Sequence, residues 1–206
     1  MTTRWISSGR AKRAVDLALA VPAFVVLAPV SALVAVTVRL RLGSPVLFRQ
    51  TRAGRGADAI QVPKFRSMTG ERDATGNLLP DEDRLTTFGA KLRSTSLDEL
   101  PQLWTVIKGD MSLVGPRPLP MVYVDRYSER QRRRLEALPG ITGWAQVNGR
   151  NAISWPERLE YDVWYVENAS LRLDLRIVAM TITTALRRDG VAADGHVTMQ
   201  EFSGET

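Results

Sequence analysis

"LALAVPAFVVLAPVSALVAVTV", residues 17–38, carries no charged side chain. It meets the ~20-residue length that a helix needs to cross the hydrocarbon of a bilayer. No region of small polar residues follows it. The chain runs instead into "RLRLGSP", which sets the segment apart from a cleaved secretory leader. Pro22 and Pro29 each remove a backbone donor and crowd the preceding turn, so a helix here is expected to kink or break. Both flanks are basic: Arg10, Lys12 and Arg13 before, Arg39 and Arg41 after. A spanning helix usually has an asymmetry of basic flanks, and this one lacks it. A hairpin dipping into one leaflet would set both basic ends on the same anionic surface. The residues alone leave open a span, a re-entrant hairpin and the core helix of a soluble fold; either of the first two makes this a membrane protein.

The remaining residues describe a body lying beside that segment. With 206 residues and 44% hydrophobic content, the chain is expected to form one domain with a real core. Its formal charge of +6 favours an anionic partner: nucleic acid, anionic lipid or a phosphorylated substrate. The absence of cysteine removes disulfides, thiolate metal sites and cysteine nucleophiles. The single histidine, His196, near the C-terminus, makes histidine metal sites and a Ser-His-Asp triad poor readings. Nucleic-acid recognition has little beyond the net charge to support it.

Two short strands are expected near residues 46–50 and 60–65, joined by a Gly-rich turn. "TGERDATGNLLPDEDR" (69–84) reads as a mobile loop able to close over a substrate. "VDRYSERQRRRLEAL" (124–138) is a basic helical segment whose arginines could meet lipid phosphates. After Ala169, the stripe Leu175, Val178, Ile182 and Leu186 marks an amphipathic helix. Trp155, Tyr161, Trp164 and Tyr165 suit core packing or an interfacial belt. The expected class is α+β, mainly helical, with interfacial amphipathic helices and a small β-hairpin.

Chemistry centres on "STSLDELPQLW" (94–104). Ser96 and Glu99 fit a capping box, and acidic residues suit the positive end of a helix dipole, so Asp98 and Glu99 have a structural explanation at hand. The alternative is catalysis. No Walker phosphate loop occurs, but Lys64, Arg93, Arg117 and Arg150 are available as phosphate ligands, with carboxylates for a divalent ion. Asp174 and Asp162 are candidates for the metal or sugar surroundings, or for ion pairs with Arg172 or Arg176.

The ordered series "KFRSM" (64–68), "RSTSLDELPQLW" (93–104), "KGDMSLVGPRP" (108–118), "PGITGWAQVNGR" (139–150), "YDVWYVEN" (161–168) and "LDLR" (173–176) resembles the bacterial sugar transferases. These are the monotopic phosphoglycosyl transferases, of which the PglC type is the minimal form. The resemblance covers nearly the whole chain and implies one domain over 1–206, with a re-entrant membrane hairpin at 10–41, broken around Pro29. It implies transfer of a sugar 1-phosphate from a UDP-sugar to polyprenyl (undecaprenyl) phosphate, with release of UMP, at the cytoplasmic face of the bacterial inner membrane. It implies Asp98 as the nucleophile that carries a phosphosugar, Glu99 as its base or metal partner, and Mg²⁺ as cofactor held by the pair. Lys64, Arg93, Arg117, Arg150 and Asp174 are the expected substrate ligands. "NGRNAISW" and the "GHVTMQEF" tail lean towards an N-acetylated amino-deoxy sugar such as diacetylbacillosamine. The rival from another class is a non-catalytic membrane-surface scaffold for glycan assembly, which would need no Asp-Glu pair.

Overall fold

In a computed structural model that describes residues 4–7, 9–149, 153–187 and 201–204, a helical turn at Arg4–Ser7 precedes a 33-residue helix, α1 (Arg10–Leu42). Strands β1 (Leu47–Ala53) and β2 (Ala59–Phe65) pair as an antiparallel hairpin, from Leu47↔Phe65 to Ala53↔Ala59. Helix α2 (Thr87–Ser94) starts where Thr86 Oγ1 accepts a hydrogen bond from the Gly89 N–H, the usual N-cap arrangement. Helix α3 (Gln102–Lys108) stops at Gly109, whose φ of 103° lets its N–H turn back to the Thr105 and Val106 carbonyls. Strands β3 (Ser112–Val114) and β4 (Gly140–Thr142) pair in parallel. Helix α4 (Trp155–Asn168) has Ser154 as its cap and Pro156 in its first turn, and α5 (Leu171–Arg187) follows it. The class is α+β and mainly helical, as the sequence pattern predicts.

The residues of α1 remain helical through Pro22 and Pro29, where the sequence predicts a break into two arms. Each proline deletes one helical hydrogen bond, and the turns around them are held by packing on one side. Asp16, Ala20, Val34 and Val38 are buried, and Ala23, Leu27, Ala35 and Leu42 pack partly buried against the same body. Their helical spacing, mostly three or four residues, forms one seam along the helix. On the other side Val25, Val26, Leu33, Val36 and Leu40 are 56–80% exposed. Folding therefore leaves an apolar face uncovered along a helix apolar and long enough to cross a membrane.

Buried polar contacts lock the N-terminal end of α1. Lys12 Nζ lies 2.7 Å from Asp174 Oδ2, which also accepts from Trp5 Nε1, while Tyr165 donates to Asp174 Oδ1 at 2.7 Å. One turn on, Asp16 Oδ1 accepts from Ser112 Oγ and from the Leu113 N–H, tying α1 to β3. Arg13 donates to the Val106 and Ile107 carbonyls, placing a cation on the negative end of α3.

Two expectations change here. The basic segment 124–138 is not one helix; it divides into a 3₁₀ turn (Met121–Arg126), a short α-turn (Glu129–Arg132) and a second 3₁₀ turn (Arg133–Glu136). Ser128 and Gln131 form a complete capping box that starts the middle piece afresh. Three arginines of this stretch face carboxylates: Arg130 pairs with Glu160, Arg133 with Glu167, and buried Arg134 with Asp162 at 2.7 Å. Asp174 pairs with Lys12 rather than with Arg172 or Arg176. Removing one member of a buried pair strands the other charge, at a cost of about 3–5 kcal/mol. Asp174→Ala is expected to lower unfolding stability by that order in detergent, whereas Arg172→Ala, on the exposed side of α5, should change it by less than about 0.5 kcal/mol. Denaturant titrations of both variants check the assignment.

Candidate active site

Pairing in the β1–β2 hairpin sets the first component. Phe48 lies opposite Lys64, Gln50 opposite Val62, and Arg52 opposite Ile60. Alternate residues share a face, so Gln50, Arg52 and Lys64 look the same way, into a cleft of about 1340 Å³. The second component depends on Gly89. A Cβ there would come within 1.7 Å of the Ser67 carbonyl oxygen, so only glycine lets α2 lie against the chain leaving β2. That approach brings Arg93 Nε to 2.9 Å from Ser67 Oγ, at the cleft wall.

The chain then reverses at Ser96, whose φ of 55° is left-handed. A non-glycine residue in that region costs of order 1–3 kcal/mol and persists where its surroundings dictate it. Leu97 and Leu100 supply the surroundings by packing against the cluster of Val38, Phe65 and Leu92. Between them Asp98 and Glu99 occupy a 3₁₀ turn, Leu97–Glu99, ahead of α3. The expected capping box does not form: the Ser96 side chain makes no cap bond. Its carboxylate partner is engaged elsewhere.

Glu99 Oε1 accepts from Lys64 Nζ at 2.6 Å and from the Arg117 guanidinium at 2.7 Å. Burial alone would raise the Glu99 carboxyl, but the charges of Arg117 and Lys64 and their hydrogen bonds outweigh it and hold it at about 2. Asp98, 6% exposed, accepts no hydrogen bond or ion pair among the described residues. Burial first, and then the neighbouring Glu99 charge, push its carboxyl up to about 6. Two adjacent carboxylates thus have opposite environments: one is neutralised by cations, the other buried and unclaimed.

Arg117 follows β3 and is braced from behind. Arg134 donates to the Arg117 carbonyl at 2.6 Å and to Asp162 Oδ2 at 2.7 Å, so Asp162 serves the site as part of a buried ion pair. The cleft thus gathers Lys64, Arg93, Asp98, Glu99 and Arg117, with Asp162 in its wall. Asp174 lies apart, in the cluster that anchors α1. Arg150 falls outside the described residues. Sequence reasoning missed Arg52 and Arg158, which also line the cleft. Strand alternation from Lys64 through its partner Phe48 would have found Arg52, and helical spacing would have put Arg158 one turn before Asp162.

The cleft lining also has an apolar part. Leu19, Ala23 and Leu27 of α1 contribute to it together with Leu103, Ile141 and Val178. Among the described residues no group of three or more Asp, Glu or His side chains forms a metal cage. Asp98 and Glu99 form an all-oxygen donor pair, which suits a hard cation that takes its other ligands from phosphate and water.

The family described as bacterial sugar transferase matches residues 7–188. The uncharacterized sugar transferase EpsL of Bacillus subtilis is 56% identical over 167 residues, covering 81% of this chain and 83% of that protein. The UDP-glucose:undecaprenyl-phosphate glucose-1-phosphate transferase of Caulobacter vibrioides is 40% identical over 188 residues, covering 86% of this chain and 70% of that one. The UDP-N-acetylgalactosamine-undecaprenyl-phosphate N-acetylgalactosaminephosphotransferase of Aeromonas hydrophila is 39% identical over 183 residues, covering 85% of this chain but only 43% of that longer protein. With nearly all of its length matched, this chain belongs to the bacterial sugar transferase family.

Proposed function

We propose that the protein transfers a sugar 1-phosphate from a UDP-sugar to polyprenyl phosphate, releasing UMP, as the first membrane step in assembling a surface glycan. The observation that carries this reading is the pairing of Asp98 with Glu99 inside a cleft whose lining includes both cations and lipid-compatible side chains. The names of the Caulobacter and Aeromonas relatives support it.

In the first step an Asp98 carboxylate oxygen forms a bond to the β-phosphorus. The bond from that phosphorus to the bridging oxygen breaks, and UMP leaves with the electron pair. Asp98 then carries the phosphosugar as an acyl phosphate. In the second step a phosphate oxygen of the polyprenyl acceptor attacks the same phosphorus and frees the Asp98 carboxylate. Two anions meet in each step. Lys64 and Arg117, already aimed at Glu99, lie where they can neutralise the transferring phosphoryl group. Mg²⁺ bound by Asp98 and Glu99 would supply further neutralisation of the diphosphate.

The two flanks of α1 bear on the proposed topology. The polar cluster at Lys12 and Asp16 and the packing at Val38 and Leu42 both attach to the one body, while the apolar outer face stays uncovered between them. This supports a re-entrant anchor in the cytoplasmic leaflet of the inner membrane, with both ends on the cytoplasmic side. The chain has no cysteine, which makes the test clean. Ala11→Cys and Ser44→Cys should both react with an impermeant thiol reagent in inside-out vesicles and resist it in intact spheroplasts. Reaction of the two from opposite sides would establish a span.

Sugar identity is read from turnover. Detergent-purified protein with Mg²⁺ and undecaprenyl phosphate should release UMP from one or a few members of a UDP-sugar panel, and Asp98→Asn should abolish release. Because the nucleophile must be ionised, kcat/KM for the donor should rise with pH through a limb near 6, not near 4. The same group sets a stability signature. Its carboxyl lies at about 6 in the folded protein against 3.8 as the reference value, so the folded state binds the proton more tightly and loses stability as pH rises between those values. Asp98→Asn is therefore expected to gain up to ~3 kcal/mol at pH 7.5, and almost nothing below pH 4, while losing turnover. Melting curves at the two pH values, beside the UMP assay, measure both effects.

A further inference from the structure

Among the described residues, the carboxylates lining the cleft are Asp81, Asp98, Glu99 and Asp162. The proposed transfer uses Asp98 and Glu99, and Asp81 turns back to Arg84 in its own loop. Asp162 is different. It is 2% exposed, as is its partner Arg134. Arg134 donates from Nε at 3.0 Å and from a terminal nitrogen at 2.7 Å, and both bonds go to the same oxygen, Oδ2. A fork-to-fork pair would have given one nitrogen to each carboxylate oxygen. Here Oδ1 accepts no hydrogen bond among the described residues, yet it is not sealed inside the protein as an orphaned polar atom. It opens on the cleft that Asp162 lines.

The clamp also fixes where that oxygen lies. The terminal nitrogen of Arg134 that holds Asp162 Oδ2 donates to the Arg117 carbonyl as well, at 2.6 Å. The Arg117 backbone and the Asp162 carboxylate are therefore neighbours across one nitrogen. From there the Arg117 guanidinium reaches Glu99. Helix α4 and the segment after β3 thus set a hydrogen-bond acceptor beside a cation suited to phosphate.

The charge at this spot selects what can meet Oδ1. A phosphate oxygen is repelled by the carboxylate. A divalent cation meets a carboxylate whose charge Arg134 already balances, and no cage of three or more acidic or histidine side chains occurs among the described residues. A neutral donor has neither penalty, and a hydroxyl on a carboxylate makes a charge-assisted hydrogen bond. In a UDP-sugar the groups next to the phosphates are the hexose and the ribose, both rich in hydroxyls. We propose that Asp162 Oδ1 accepts a hydrogen bond from a sugar hydroxyl of the UDP-sugar, with Arg134 as the positioning residue that holds the carboxylate in place. This rests on the transferase reading above, and it adds the residue that reads the donor's hydroxyls.

Deoxy probes test it by binding, apart from turnover. Calorimetry on full-length protein in detergent compares UDP-glucose with its monodeoxy analogues, and UMP with 2′-deoxy-UMP and 3′-deoxy-UMP. Wild-type protein should bind at least one deoxy probe about 10- to 100-fold more weakly than its parent. A penalty among the UDP-glucose analogues puts the hydroxyl on the hexose, and one among the UMP analogues puts it on the ribose. Asp162→Asn keeps an oxygen for Arg134 and turns an amide N–H towards the cleft, so that penalty should shrink to about twofold or less. Arg134→Gln breaks the same ion pair but leaves the acceptor, so the penalty should persist even as stability falls. Melting temperatures establish which variants are folded. A penalty unchanged in folded Asp162→Asn would overturn the contact. So would wild-type protein that binds every deoxy probe as well as its parent, a result that needs no variant. A folded Asp162→Asn that needs more Mg²⁺ for UMP release, with its deoxy penalties intact, would make Asp162 a metal ligand and overturn it too. Hydroxyl discrimination lost in Asp162→Asn, in a protein that turns over no UDP-sugar, would support the contact and sink the transferase reading alone.

Discussion

One carboxylate oxygen organises this molecule's chemistry. Glu99 Oε1 receives both Lys64 and Arg117, and through them it joins three parts of the chain that are far apart in sequence: the β-hairpin, the turn before α3 and the segment after β3. Burying an ion pair recovers its desolvation cost only when the geometry is good and the remaining partners are satisfied. Here two cations meet one anion, which keeps Glu99 ionised and leaves local positive charge to spare. That surplus is what an incoming diphosphate would find. It also spares Asp98 from pairing, because the nearby cations are already directed at its neighbour.

The division between the two carboxylates follows from this arrangement. A nucleophile tied up in ion pairs is a poor one, and a buried carboxylate without support pays for desolvation. Asp98 accepts the second condition. The strained Ser96 turn and the packing of Leu97 and Leu100 hold it in a place it would not choose on its own. Stability given up at one residue is a common feature of working sites, and it fits the role proposed for Asp98. The pattern gives little support to a purely structural role, since a capping carboxylate would be bonded to backbone N–H groups and neither residue is bonded in that way among the described contacts.

Much of this was legible in the sequence. The uncharged run showed the apolar helical segment, though not its continuity through Pro22 and Pro29, the strand signals found the hairpin to within a few residues, and the ordered motifs held Lys64, Arg93, Asp98, Glu99 and Arg117, which line one cleft. The misses share a cause: local patterns do not report long-range partners. Ser96 and Glu99 have the right spacing for a capping box, yet Glu99 finds two cations, and two charged donors outweigh the single uncharged N–H that a cap would offer it. Asp174 looked like a site residue, but Lys12, 162 positions earlier, claims it. The arginines of 130–134 looked like a lipid-facing surface until α4 brought Glu160, Asp162 and Glu167 against them. The three-residue strands β3 and β4 have too little periodicity to read at all.

The two substrates of the proposed reaction place opposite demands on one cleft. A nucleotide sugar comes from water, and a polyprenyl phosphate must bring its head to Asp98 while its tail remains in lipid. Helix α1 reconciles these demands because its faces differ. Leu19, Ala23 and Leu27 line the cleft, and the outer residues from Val25 to Leu40 remain uncovered. A helix seamed to the body along its length presents apolar side chains both to the cleft and to the uncovered face. The buried contacts of Lys12, Arg13 and Asp16 fix that helix against α5, the end of α3 and β3, the strand leading to Arg117.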